Sequence, residues 1–126
     1  NQMAFILQKQ KRFQEAISAF SKVITLAPHW KIAYLYRGNC HALQKCYAKA
    51  VADYSYLLQE QPENALAYKN RAIAYFYMQN YQKSYNDLQK CFRLNPDFAK
   101  KYASFAQKVR DKISGNKDKF ANDIFH

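Results

Sequence analysis

The chain has 126 residues, a formal net charge of +11, and 49% apolar residues with only two Gly and three Pro. This composition argues for an ordered, helix-rich chain, and no window reaches the roughly 20 apolar residues that a membrane-spanning helix needs. Three cysteines, Cys40, Cys46 and Cys91, with no CxxC pair, speak against a disulfide framework and for reduced thiols in a reducing, cytoplasmic setting.

The chain opens on Asn1-Gln2 with no initiator Met and none of the zones of a secretory signal, so a segment of a longer protein is expected. Apolar residues then recur at spacings of three and four, the mark of a helical face. They predict helices over 1–10 and 13–26, 31–43 and 47–60, and 65–78 and 81–94. Two or three polar residues, such as Gln44-Lys45-Cys46 and Gln79-Asn80, separate the members of each pair, so the partners must run antiparallel. A seventh stripe of Phe98, Tyr102, Phe105, Ala106, Val109 and Ile113 predicts a helix over 98–114, with Ser114-Gly115-Asn116 as its stop.

The pairs repeat with a period of 34. Pro28, Pro62 and Pro96 mark it, and so do Phe13, Tyr47 and Tyr81. Small residues recur in step, Ala16, Ala50 and Ser84 in the second helices, with Gly38, Ala72 and Ala106 in the first. Tyr34, Tyr68 and Tyr102 precede that last series by four residues. Small residues at facing positions let two helices approach closely. Each Pro closes its unit because it disfavours helix in the residue before it, and Asn64 and Asp97 are placed to cap the next helix. A single hairpin buries too little to fold alone, so neighbouring units must stack.

These residues resemble the tetratricopeptide repeat family, whose unit is a 34-residue helix–turn–helix. The resemblance gives a truncated repeat at 1–30, full repeats at 31–64 and 65–98, and a capping helix at 99–116, with 117–126 as a tail or short appended helix. Tyr stands where the family usually has Trp, and Arg37 and Arg71 stand where it commonly has Leu. It implies an all-α, right-handed superhelical solenoid of antiparallel helix pairs, about seven helices in all, acting as a protein-interaction scaffold.

In such a solenoid the first helices line the concave face. The candidate peptide contacts are then Leu35, Tyr36, Asn39 and Leu43, followed by Lys69, Asn70, Ile73, Phe76 and Tyr77, and finally Lys100 and Arg110; Phe5, Gln8 and Lys9 extend the face at the N-terminal end. This mixture suits an acidic, partly apolar peptide. Co-chaperones of the family hold a chaperone's terminal carboxylate with Lys, Asn, Asn, Lys and Arg. In register those places fall here on Leu35, Asn39, Asn70, Lys100 and Ser104, so three of the five match. Lys69 or Arg110 is placed to supply charge in their stead.

The aromatic series otherwise reads as core, with Tyr36, Phe76 and Tyr77 off the packing phase. His29, His41 and His126 have no partner at a diagnostic spacing, and Cys40, His41 and Cys46 match no zinc pattern. No nucleophile–base set or phosphate loop is present. Neither enzymatic activity nor a cofactor or metal is expected. The positive charge, which forms no run longer than Lys100-Lys101, favours acidic partners. Nucleic acid, with Tyr as stacking platforms, is the rival reading, and self-association through the first helix or the tail (a homo-oligomer) is a third.

Overall fold

The computed structural model describes the backbone of residues 2–125 and the side chains of residues 9–115. Seven α-helices and no strand occur among the described residues, grouped in two compact units. The first unit, Asn1–Glu63, holds α1 (Gln2–Leu26), α2 (Ile32–Leu43) and α3 (Tyr47–Glu60). The second, Asn64–His126, holds α4 (Ala65–Tyr77), α5 (Tyr81–Leu94), α6 (Pro96–Lys101) and α7 (Ala103–Phe125). None of the described helices is long and apolar enough to cross a membrane.

The two complete hairpins, α2–α3 and α4–α5, lie where the periodicity places them. Each turns through one residue in the left-handed region, Lys45 and Gln79, both at φ 64°. Asn64 caps α4 by accepting from the Ala67 N–H at 3.0 Å, and Asn80 caps α5 by accepting from the Lys83 N–H.

The ends differ from expectation. α1 is one continuous helix, without the break expected near residues 11–12. The physical reason is local. Gln10, Lys11 and Arg12 are all good helix formers, whereas the later turns have the poorer formers Cys46 and Asn80 at the place of Arg12. Nothing there offsets the roughly 1 kcal/mol cost of a left-handed residue. The side chains of Ala4, Phe5 and Gln8 lie outside the described residues. At the other end, Tyr102 at φ −110° and ψ 22° separates α6 from α7, so the expected single helix is two. Asn95, not Asp97, caps α6, accepting from the Asp97 N–H at 3.2 Å. Helix α7 runs through Ser114-Gly115-Asn116, because Gly stops a helix by turning left-handed and neither glycine here has positive φ. The side chains of Phe120, Ile124, Phe125 and His126 also lie outside the described residues.

In the first unit Ala33, Ala50, Tyr54, Leu57 and Leu58 form the buried interior. Gly38 is there because of Tyr54: a Cβ on Gly38 would come within 2.7 Å of Tyr54 Cε1. In the second unit Ala72, Leu88, Ala106 and Val109 are buried together, with Phe76, Tyr81, Tyr85, Phe92, Phe105 and Ile113 packed around them. Fully burying Leu88 or Val109 contributes about 1.5–3 kcal/mol each. Ser84 Oγ donates to the Ala72 carbonyl at 2.7 Å, which brings α4 and α5 together at the small residues the pattern marked. Cys91 is fully buried beside them, and loss of solvation pushes its thiol pKa up to about 11.

Each complete hairpin also encloses an ion pair. Arg37 donates to both oxygens of Asp53 at 2.9 and 2.7 Å, and Arg71 to both oxygens of Asp87 at 2.8 and 2.7 Å. Both carboxylates are buried, and the hydrogen bonds to them hold both guanidinium groups above their ordinary pKa. Arg37 also donates to Ser21 Oγ at 3.2 Å and so ties α1 to α2 and α3. Among the described residues every buried side-chain nitrogen and oxygen has a hydrogen-bond partner.

Candidate peptide-binding face

The sequence-derived contacts divide between the two units. In the first, Leu35 is only 3% exposed, which corrects its reading as a groove contact. One residue's shift around α2 places it in the core, while Tyr36 next to it stands out. Tyr36 is exposed, with its ring 5.7 Å from Phe20 and 6.3 Å from the exposed Trp30. Asn39 is half-buried and its amide oxygen accepts from the Tyr54 hydroxyl at 2.6 Å. Its amide oxygen is therefore held by the fold. Leu43 is 65% exposed. It lines a crevice of about 300 Å³ with Lys9, Gln10, Phe13, Gln44 and Lys45, which Gln44 closes on one side by donating to the Gln10 carbonyl at 3.1 Å.

In the second unit the candidates assemble more closely. Lys69 and Phe76 lie one above the other on α4, seven residues apart, and both reach the α6–α7 segment. Lys69 Nζ stands 5.2 Å from the centroid of the Tyr102 ring, and Lys101 Nζ stands 5.6 Å from the same centroid. Phe76 meets Phe105 edge-on at 5.3 Å and carries Lys108 Nζ at 5.4 Å. It also packs against Tyr81 at 5.5 Å and Tyr77 at 5.6 Å. Phe76 therefore belongs to the rim of the core, although the helical phase set it apart. Tyr77 is 59% exposed at the edge of this cluster. Asn70 and Ile73 are half-buried on α4, and Lys100 and Arg110 are exposed on α6 and α7. Arg110 donates to Gln107 Oε1 at 2.7 Å.

The result is a face on which ammonium groups stand over aromatic rings, each such contact contributing about 0.5–1 kcal/mol at an exposed site. Lys101 and Lys108, which take part in it, were not singled out as contacts in the sequence. Helical spacing carried no signal for them, since Lys101 is adjacent to Tyr102 and Lys108 meets Phe76 from another helix. The surrounding charge has one sign. Asp97 and Asp111 are the exposed carboxylates of this unit among the described residues, against eight exposed Lys and Arg. No group of three or more His, Cys, Asp or Glu converges as a metal site among the described residues. His41, the nearest case, has Nε2 3.9 Å from Asp53 Oδ2, and Asp53 is already paired with Arg37.

Comparison with known proteins agrees with this fold. Family models described as tetratricopeptide repeat match residues 1–29 and 65–98. The structure resembles the first TPR domain of human RPAP3, at 19% identity over 93% of this chain and 91% of that one, with a TM-score of 0.79. It resembles the first TPR of Spaghetti (RPAP3) bound to the HSP90 peptide SRMEEVD, at 19% identity over 90% of this chain and 89% of that one, with a TM-score of 0.78. MamA from Desulfovibrio magneticus RS-1 is similar at 21% identity over 93% of this chain and 71% of that one, with a TM-score of 0.65. A search of curated proteins finds no significant match. The 34-residue period, the paired helices meeting at small residues, and family-model matches that together cover half of the sequence establish that this chain belongs to the tetratricopeptide repeat family.

Proposed function

We propose that this chain is a protein-interaction module that binds an acidic, partly apolar peptide along the exposed faces of its first helices. The observation that carries the reading is the α4/α6/α7 face, where Lys69, Lys101 and Lys108 stand over Tyr102 and Phe76. Ammonium groups attract carboxylates, and the partly exposed rings of Phe76 and Tyr77 offer apolar area for an anchoring side chain. The peptide SRMEEVD seen with the Spaghetti TPR has this character, with Glu and Asp beside Met and Val.

The test is fluorescence anisotropy with a labelled ten-residue peptide of alternating Glu and Leu, compared with its Glu→Gln counterpart and with labelled oligouridine. Binding of the acidic peptide at least about tenfold tighter than the neutral one, and weakened by Lys108→Glu, is expected. Equal affinity for the two peptides overturns the proposal. So does oligouridine that binds more tightly than either, with the steep salt dependence of phosphate contacts.

A further inference from the structure

Binding of an acidic peptide leaves open which part of the peptide is read, and the donors on the face decide it. Capturing a free chain end requires directional donors that converge on one carboxylate, such as amides or a guanidinium fork. At the five places where the resemblance would put a terminal-carboxylate clamp, this chain supplies little of that. Leu35 is buried and its side chain has no donor, the half-buried amides of Asn39 and Asn70 are neutral, and Lys100 is a single ammonium. Ser104 is a neutral hydroxyl where a guanidinium would be needed. Three of the Arg forks elsewhere are already engaged. Arg37 and Arg71 grip buried Asp53 and Asp87, and Arg110 donates to Gln107.

The charge that stands over Tyr102 and Phe76 on the α4/α6/α7 face is all ammonium. Lys69 and Lys101 share the Tyr102 ring, Lys108 sits over Phe76, and Lys100 is exposed beside them. An ammonium is a compact point charge on a flexible stem, without the planar fork that selects a bidentate carboxylate. Two such charges over one ring repel each other, and any carboxylate that enters relieves the repulsion, whatever its place in the ligand. The Tyr102 ring lies just where α6 gives way to α7, so cations from α4 and α6 meet there, while Lys108 of α7 stands over Phe76.

Taking the peptide-binding reading as its basis, we infer that the α4/α6/α7 face binds internal acidic segments of a partner chain and does not distinguish them from a C-terminal end. Recognition rests on side-chain carboxylates, summed over Lys69, Lys100, Lys101 and Lys108, with an apolar side chain seated against Phe76 and Tyr77.

The experiment uses the whole 126-residue chain and three forms of one acidic, Leu-containing peptide: a free C-terminal acid, a C-terminal amide, and the same residues flanked on both sides by Gly-Ser extensions. The expected result is the same Kd for all three within about twofold, since one terminal charge among several changes a screened sum only slightly. Lys69→Gln and Lys108→Gln should each weaken all three forms in parallel, by about two- to fivefold. Loss of tenfold or more on amidation or extension overturns the inference while leaving acidic-peptide binding intact. Failure of all three forms to bind overturns the peptide-binding reading on which it rests. Parallel weakening by added salt supports the inference, and a salt-independent preference for the free acid opposes it.

Discussion

The ring of Tyr54 lies across Gly38, so close that a methyl group on Gly38 would meet Tyr54 Cε1 at 2.7 Å and Cδ1 at 3.0 Å. One repeat later the same two places hold Ala72 and Leu88, both fully buried. In both hairpins the small residue is on the first helix and the large one on the second, and the extra methyl of Ala72 goes with a smaller partner at 88.

Gly38→Ala should therefore destabilise the chain by about 1–3 kcal/mol, the usual cost of overpacking. Tyr54→Leu alone should also cost, since it removes the hydrogen bond to Asn39 and leaves a void. The double variant, which reproduces the Ala72–Leu88 arrangement, should be less destabilised than the sum of the two by about 1 kcal/mol or more. Urea denaturation of the four proteins checks this, and strict additivity would sink the idea.

The Arg71–Asp87 pair gives a second expectation. Asp87→Ala leaves a largely covered guanidinium without its partner and should cost about 2–4 kcal/mol. Adding Arg71→Leu, which restores the family's common residue at that place, should recover at least half of the loss, because an apolar pair of similar volume avoids the desolvation of both charges. Thermal melts of the single and double variants decide the matter. A double variant no more stable than Asp87→Ala would show that the pair acts through more than its own charges.

The third expectation concerns acid. Burial lowers the His41 pKa below its ordinary 6.5; Asp53 works against the shift, and Arg37 and Lys49 work with it. The folded chain then prefers neutral imidazole, while the unfolded chain takes up the proton first as pH falls. Stability is present above 6.5 and declines from about pH 7 downward through the lowered folded value. Wild type should lose more stability than His41→Gln between pH 7.5 and 5.5, measured by denaturant midpoints. Parallel curves would contradict it.

The repeating part of the fold was legible because it depends on which residues are small and which are large. The positions of Ala50, Ala72 and Ser84 announce the close helix contacts that the structure contains, and Asn64 announces a cap. What the pattern did not give was whatever depends on about 1 kcal/mol of backbone preference. The turn at Lys45 forms, yet the chain at Lys11-Arg12 stays helical, and all these residues look equally polar in the sequence. Polar partnerships were hidden for another reason. Arg37 looked like a departure from the family and Asn39 like an open groove amide. Asp53 and Tyr54 claim them from 16 and 15 positions away, a distance at which helical periodicity says nothing about contacts. Leu35 failed similarly, since one step around a helix separates a core residue from a surface one.

The ion pairs have a consequence for how such a chain can grow. Arg and Asp lie within one hairpin, on the same side of the proline that closes it, at 37 and 53 and again at 71 and 87. A cut or a duplication at the prolines thus moves both charges together and strands neither inside an apolar core. Copies of the segment 31–64 carry their own electrical neutrality at the centre, as a cassette does. Lengthening the array by whole periods leaves the internal charge balance of every existing hairpin untouched.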